Sequence, residues 1–243
     1  MDSHEILIWY IEPESIQDTA QLSRFFGWLS PEERAQHGRF RFDQHKHTYL
    51  VSHALVRSAL SLMTQVDPAK FSFKTNAYGK PFIATPTQHE TLHFNLSHTD
   101  GLAAVAISRH GELGVDVENK DRQILTQSMV EQFFAPEECL AVEQASEHER
   151  STKMLEFWTL KESYIKAVGM GLSIGLDSFA FKLATATQSA YLLRLDAQPE
   201  AIEAWRFWQG QPTETHLMAL AFKYEHANPL LVKAQRADWL ARA

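Results

Sequence analysis

Apolar positions along this chain switch between two periods, and the switches mark out its elements. Residues 6–11 form a β-rich apolar run that predicts a strand. Ser30-Pro31-Glu32-Glu33 is a helix start, with Ser30 at the N-cap, Pro31 at the first helical position and Glu33 closing a capping box. Asp43 is placed to cap a longer helix. There Tyr49, Leu50, His53, Val56, Leu60 and Met63 recur at threes and fours until Asp67-Pro68 breaks the pattern. Short strands are predicted at 71–74, 82–84, 92–96, 103–108 and 113–118, with turn signals at Tyr78-Gly79 and Asp100-Gly101. From Thr126 the helical period returns, with a second start at Ala135-Pro136-Glu137-Glu138. A long helix over 149–168 is stopped by Gly169 and Gly171, and strands follow at 178–183, 190–195, 204–208 and 216–222.

A long helix followed by several strands thus occurs twice. That predicts an α+β fold of two lobes, 1–112 and 113–243, each a small antiparallel sheet packed with a long helix. No convincing sequence repeat accompanies the division, which rests on element order. A ligand site is expected at the join.

Composition narrows the class. The chain has 243 residues, 44% hydrophobic and 22% charged, which suits a soluble globular protein with a substantial core. A formal net charge of −7 argues against a nucleic-acid surface, which needs a basic face. Cys139 is the single cysteine, so there is no disulfide framework and no thiol cluster for zinc. Asp2 and Glu5 beside a short apolar run make neither a signal peptide nor a membrane span, and a reducing cytoplasm is expected.

Two acidic signatures carry the candidate chemistry. In Gly114-Val115-Asp116-Val117-Glu118, strand alternation sends Val115 and Val117 to the core and points Asp116 and Glu118 together the other way. That face is either solvated or a site, and Asp is unusual inside strands. In the predicted helix, Glu162 and Lys166 are neighbours at i,i+4, with Trp158 one turn earlier on the same face. They are either a surface ion pair or part of a site. Leu155, Leu160, Tyr164, Ile165 and Val168 make the helix apolar nearly all round, so it is expected to be largely buried. A buried Glu and Lys are costly unless paired or metal-bound. Hard oxygen ligands without thiols point to magnesium, with manganese as substitute, sharing its shell with a phosphate-bearing cofactor.

The stretch Phe94-Asn95-Leu96-Ser97-His98-Thr99-Asp100-Gly101 ends a strand in a turn. The stretch argues against a serine-hydrolase site, because adjacent residues face opposite ways and no Gly-x-Ser-x-Gly elbow exists. Ser97 and His98 suit either anion binding at a strand end or a turn that satisfies its own backbone. Gly79-Lys80-Pro81 is a tight turn presenting a lysine.

In order, these pieces resemble the Sfp-type 4′-phosphopantetheinyl transferases. The matching run is Tyr78-Gly79-Lys80-Pro81, Phe94 to His98, Gly114 to Glu118, Phe133-Phe134, Trp158-x-x-Lys161-Glu162-Ser163-Tyr164-x-Lys166 and Gly169-x-Gly171-Leu172, covering about residues 29 to 183. The resemblance implies a pseudo-dimer of two similar lobes, with the active site at their interface. It implies transfer of the phosphopantetheine arm of coenzyme A to a serine of an apo acyl or peptidyl carrier protein, releasing adenosine 3′,5′-bisphosphate.

By the same resemblance, Asp116, Glu118 and Glu162 match magnesium ligands, Glu162 the general base, and Lys166 the lysine near the pyrophosphate. Lys80, Asn95, Ser97 and His98 match coenzyme A contacts, with His98 reaching the 3′-phosphate. Family members often place two basic residues after the Ser-Pro-Glu-Glu start. Here one such place is Gln36, leaving Arg34 and Arg39 as candidates for the 3′-phosphate or as solvated residues. The carrier is expected to dock on an apolar surface between the lobes near residues 129–134, where Phe133 and Phe134 serve either docking or the core. A monomer is expected, since the chain already contains two lobes. The competing readings are a carrier-binding module without activity and a metal-dependent phosphohydrolase.

Overall fold

The two Pro-Glu-Glu starts open corresponding helices in the two halves of the molecule. In the computed structural model, which describes residues 5–89, 91–122, 125–225 and 230–242, the first half runs β1 (Glu5–Ile11), α1 (Thr19–Trp28), α2 (Pro31–Arg39), α3 (Asp43–Thr64), β2 (Ser72–Thr75), β3 (Pro81–Thr85), β4 (His93–Thr99) and β5 (Leu102–Ser108). The second half runs β6 (Leu113–Asn119), α4 (Gln127–Phe133), α5 (Pro136–Glu143), α6 (Glu147–Val168), β7 (Phe179–Lys182), β8 (Tyr191–Leu195), β9 (Trp205–Thr213) and β10 (His216–Lys223), before β11 (Leu231–Arg236). Asp2 lies outside the described residues. No described helix is long and apolar enough to cross a membrane.

Ser30 Oγ accepts from Glu33 N at 3.2 Å, and Glu33 returns the bond by accepting from Ser30 N at 2.7 Å. Ala135 has no side-chain oxygen to offer, so of the two side-chain bonds only the return one forms there, from Ala135 N to Glu138 at 2.9 Å. Asp43 does not cap its helix. Phe42 holds the cap position, and Asp43 is the first helical residue, paired with Lys46 at 3.0 Å.

The sheets stack face to face. One has the order β11-β1-β5-β4 and the other β6-β10-β9, with β2-β3 and β7-β8 as separate hairpins. Alternation sorts the side chains into layers. Trp9, Ile11, Ala103, Val105 and Ile107 face α3, while Ile6, Ile8, Leu102, Ala104 and Ala106 meet Val115, Val117, Met218 and Leu220 of the second sheet. Ala219 and Ala221 of that sheet face α6. The layers are therefore helix, sheet, sheet, helix. The division at 113–243 needs correction at its far end, because β11 pairs parallel with β1, and Ala237 and Leu240 join the first core. Its cause is an open edge on β1, closed by the ladder and by Arg236–Glu12 at 2.7 Å.

A buried cation sits at the fifteenth position of each 22-residue helix, α3 and α6. Arg57 donates to Pro68 O, Phe71 O and Glu33, under the Phe73 ring. Lys161 donates to Leu176 O and Phe179 O, pairs with Glu138 at 2.7 Å, and lies over the Phe179 ring. Each cation thus ties its helix to the Glu of its own Pro-Glu-Glu start and to the loop leading into its hairpin. Burial pulls the Lys161 ammonium down and pushes the Glu138 carboxyl up, each partly opposed by the other's charge. Removing one partner strands the other charge in the core. Lys161→Met should therefore cost about 3–5 kcal/mol in urea unfolding, with part recovered in Lys161→Met/Glu138→Leu. A single variant as stable as wild type would contradict this.

Candidate functional site

Gly114 decides where α6 lies. On β6, Gly114, Asp116 and Glu118 pair with Ala221, Ala219 and Leu217 of β10, on the face turned to α6. A Cβ on Gly114 would sit 2.2 Å from Ser163 O and 2.3 Å from Ala167 N. Only glycine lets the helix backbone come this close. The acidic face of β6 is therefore covered by α6 rather than by water, and Lys166 is brought onto Asp116.

The contacts there are short. Lys166 Nζ lies 2.6 Å from Asp116 Oδ1 and donates to Ser97 Oγ at 2.9 Å. Ser97 Oγ donates to the same Asp116 oxygen at 3.1 Å and accepts from Val117 N at 3.3 Å. Asp116 is 3% exposed, and its buried Oδ2 has no hydrogen-bond partner among the described residues. Glu118 accepts from Trp158 Nε1 at 3.3 Å and from Thr99 Oγ1 at 3.4 Å. Burial, then the Asp116 charge, pushes the Glu118 carboxyl up to about 7. Burial, then Asp116, also raises Glu162, with Lys166 opposing.

Three carboxylates share one ammonium, so the cluster is short of positive charge. An orphaned carboxylate oxygen, two carboxyls held above their ordinary range and an all-oxygen donor set fit a hard divalent cation. Among the described residues no group of three or more His, Cys, Asp or Glu side chains is already gathered closely enough to hold a metal ion. Magnesium keeps several waters and does not require a closed cage of side chains.

The expected coenzyme A contacts divide. Asn95 is buried, and its Oδ1 accepts from Val115 N at 2.9 Å. With Ser97 it stitches the edge of β4 to the edge of β6, two strands of different sheets. Asn95 also lines a cavity of about 250 Å³ with Tyr78, Lys80, Glu162 and Lys166. Lys80 is not a solvated turn lysine. Its ammonium donates to Ala167 O at 2.6 Å and Leu113 O at 3.0 Å, and burial pulls it down to about 8, with Glu112 opposing. A cation at a helix C-terminus is favourable, and Asn76 Nδ2 adds a bond to Gly169 O at 2.8 Å. The β2-β3 hairpin of one lobe thus clamps the end of α6 in the other.

His98 is exposed. Partial desolvation of its ring, then the charges of Lys166 and His45, hold it below the ordinary imidazole range. Arg34 donates to Gly27 O and lies over Phe26, and Arg39 donates to Gln36. Both are exposed on α2, and neither bonds to the carboxylate cluster. Phe134 is core, while Phe133 meets the Trp158 ring edge-on. Thr99 and Asn76 went unnoticed in the sequence. Both had a turn signal nearby, Tyr78-Gly79 for Asn76 and Asp100-Gly101 for Thr99, but neither signal says what the side chain bonds.

Both halves match known families. A model of the 4′-phosphopantetheinyl transferase superfamily matches residues 112–221, and one described as 4′-phosphopantetheinyl transferase, N-terminal, matches residues 17–110. Fold and sequence together thus define a phosphopantetheinyl transferase. Over 160 residues the chain is 33% identical to 4′-phosphopantetheinyl transferase Sfp of Bacillus subtilis, covering 66% of this chain and 69% of that protein. Over 219 residues it is 28% identical to 4′-phosphopantetheinyl transferase HetI of a Nostoc species, covering 90% and 88%. The chain belongs to the Sfp-type 4′-phosphopantetheinyl transferases.

Gly114→Ala should force α6 off β6. Transfer should fall roughly 100-fold from misplacement of reacting groups, with about 1–3 kcal/mol lost in urea unfolding. Retained activity would show that the close crossing is dispensable.

Proposed function

We propose that this chain moves the 4′-phosphopantetheine arm of coenzyme A to a serine hydroxyl of an apo acyl or peptidyl carrier protein, with magnesium or manganese as cofactor. The observation that carries the proposal is the Lys166–Asp116–Ser97 cluster with its orphaned Asp116 oxygen. Asp116, Glu118 and Glu162 would hold the cation. When bound, it supplies Lewis-acid neutralisation of the pyrophosphate.

The residues do the rest. Lys166, 28% exposed at its side chain, offers its ammonium to the pyrophosphate from the cleft. Tyr78 and Lys80 line the cavity beside Glu162, which gives the arm a place next to the base. Among the described residues the Glu162 carboxylate has no hydrogen-bond partner, and its raised pKa strengthens it as a base. It takes the serine proton as the serine oxygen bonds to the phosphorus bearing the arm. The bond from that phosphorus to the oxygen of the neighbouring phosphate breaks, and adenosine 3′,5′-bisphosphate leaves with the electron pair. A Glu162 that also meets the cation is weakened as a base, so positioning carries much of the rate. His98 would meet the 3′-phosphate. Arg34 and Arg39 would have to leave their present partners to help. Because the intersheet core is satisfied within one chain, we take the monomer as the active unit.

Incubation with coenzyme A, magnesium and an apo carrier should add phosphopantetheine to the carrier's mass, and chelator should prevent it. Released nucleotide with no adduct on any carrier type would favour a phosphohydrolase instead. Glu162→Gln should lower kcat by roughly 10²–10⁴-fold while coenzyme A still binds. An active variant would remove Glu162 from the base role. At low magnesium, kcat/KM should fall as pH drops through about 7, because a proton on Glu118 removes a ligand. Excess magnesium competes with that proton and should move the fall to lower pH. A fall indifferent to magnesium would contradict Glu118 as a ligand.

A further inference from the structure

A buried histidine outside every motif above joins the two lobes beside Glu118. His216 opens β10 and is 4% exposed. Its Nε2 lies 2.9 Å from Asp100 O, and its Nδ1 lies 2.7 Å from Thr213 Oγ1 and 3.1 Å from Thr215 Oγ1. A carbonyl only accepts, so Nε2 donates to Asp100 and Nδ1 takes a hydroxyl hydrogen. Asn119 Nδ2 donates to the same carbonyl at 3.1 Å. Gly101, at φ +85°, brings the turn under the ring, where a Cβ would lie 3.3 Å from His216 Cε1. The β4-β5 turn of the first lobe is thus latched to β6 and β10 of the second.

That turn begins with Thr99, which is buried and donates to Glu118. Both hydrogen bonds to Glu118, 3.4 Å from Thr99 and 3.3 Å from Trp158, are long. The carboxylate is therefore placed by the position of the turn and of α6 more than by one strong bond. We propose that His216 is a positioning residue for Glu118, fixing the turn so that Thr99 holds the carboxylate where it meets the divalent cation. This rests on Glu118 being a cation ligand. His216 touches neither substrate nor the reacting atoms. Outer partners of a metal ligand typically set tenfold or more of its affinity. An apolar ring in place of His216 fills the space but leaves Asp100 O with one donor fewer.

The test is Mn²⁺ binding to the full chain, followed by electron paramagnetic resonance, beside the magnesium dependence of transfer and coenzyme A binding without divalent cation. His216→Phe should weaken Mn²⁺ binding and raise half-saturating magnesium by roughly 10–100-fold, with cation-free coenzyme A binding unchanged. His216→Gln, which restores a donor to Asp100 O, should recover most of both. Unchanged Mn²⁺ binding in His216→Phe, or no recovery in His216→Gln, would overturn the proposal. If His216→Phe fails to fold, Thr99→Val decides: weakened Mn²⁺ binding supports the chain of contacts, and wild-type binding overturns it. Glu118→Gln separates the two readings, since wild-type Mn²⁺ binding there would refute the ligand assignment itself.

Discussion

The close crossing of α6 over β6 at Gly114 sets the rest of the site. With a 2.2 Å clearance for a side chain, the helix backbone lies against the strand backbone. Side chains that face inward from the two elements are then held close together. Lys166 reaches Asp116, Trp158 reaches Glu118, and Glu162 is desolvated near Asp116's charge. The same crossing raises two carboxyls above their ordinary range and leaves one carboxylate oxygen without a partner among the described residues. Such an arrangement is poorly satisfied alone and would be better satisfied by a divalent cation with an anion beside it. Strain of this kind at a site is balanced elsewhere. Here the balance comes from the clamps around it: Lys80 and Asn76 on the end of α6, Lys161 and Glu138 on its middle, and Asn95 on the edge of β6.

The two lobes repeat one plan but use it once. Arg57 with Glu33 in the first lobe and Lys161 with Glu138 in the second are equivalent anchors. At the helix positions of Glu162 and Lys166, however, α3 carries Ser58 and Leu62. Where β6 turns Gly114, Asp116 and Glu118 toward its helix, β1 turns Leu7, Trp9 and Ile11. That crossing is filled with apolar side chains, and Trp239 from the returning C-terminal segment packs on Trp9. One crossing is core, and its counterpart is the proposed site. Since two sheets and both helices share one structure, the apolar crossing supports the polar one.

Much of this was legible from local pattern. Strand alternation placed Asp116 and Glu118 on one face, and helical spacing placed Glu162 over Lys166, because both rules act within a few residues. Helix starts at Ser30 and Ala135 were readable for the same reason. What stayed hidden depends on distant partners. The bonds of Lys80 to Leu113 and Ala167 cross 33 and 87 residues, and nothing in a Gly-Lys-Pro turn announces them. β11 is mostly exposed, so its side chains show no burial pattern, and it exists because β1 offers an edge. The repeat itself is faint because its equivalent cations differ in type and only the Pro-Glu-Glu and Phe-x-Phe fragments are shared.

The central claim is that the crossing of α6 and β6 builds a cation and pyrophosphate site. Anomalous scattering from Mn²⁺ in crystals grown with coenzyme A tests it most directly. The account predicts one anomalous peak bounded by Asp116, Glu118 and Glu162, with the pyrophosphate between that peak and Lys166. A peak elsewhere, or coenzyme A bound with its pyrophosphate away from Lys166, would contradict it.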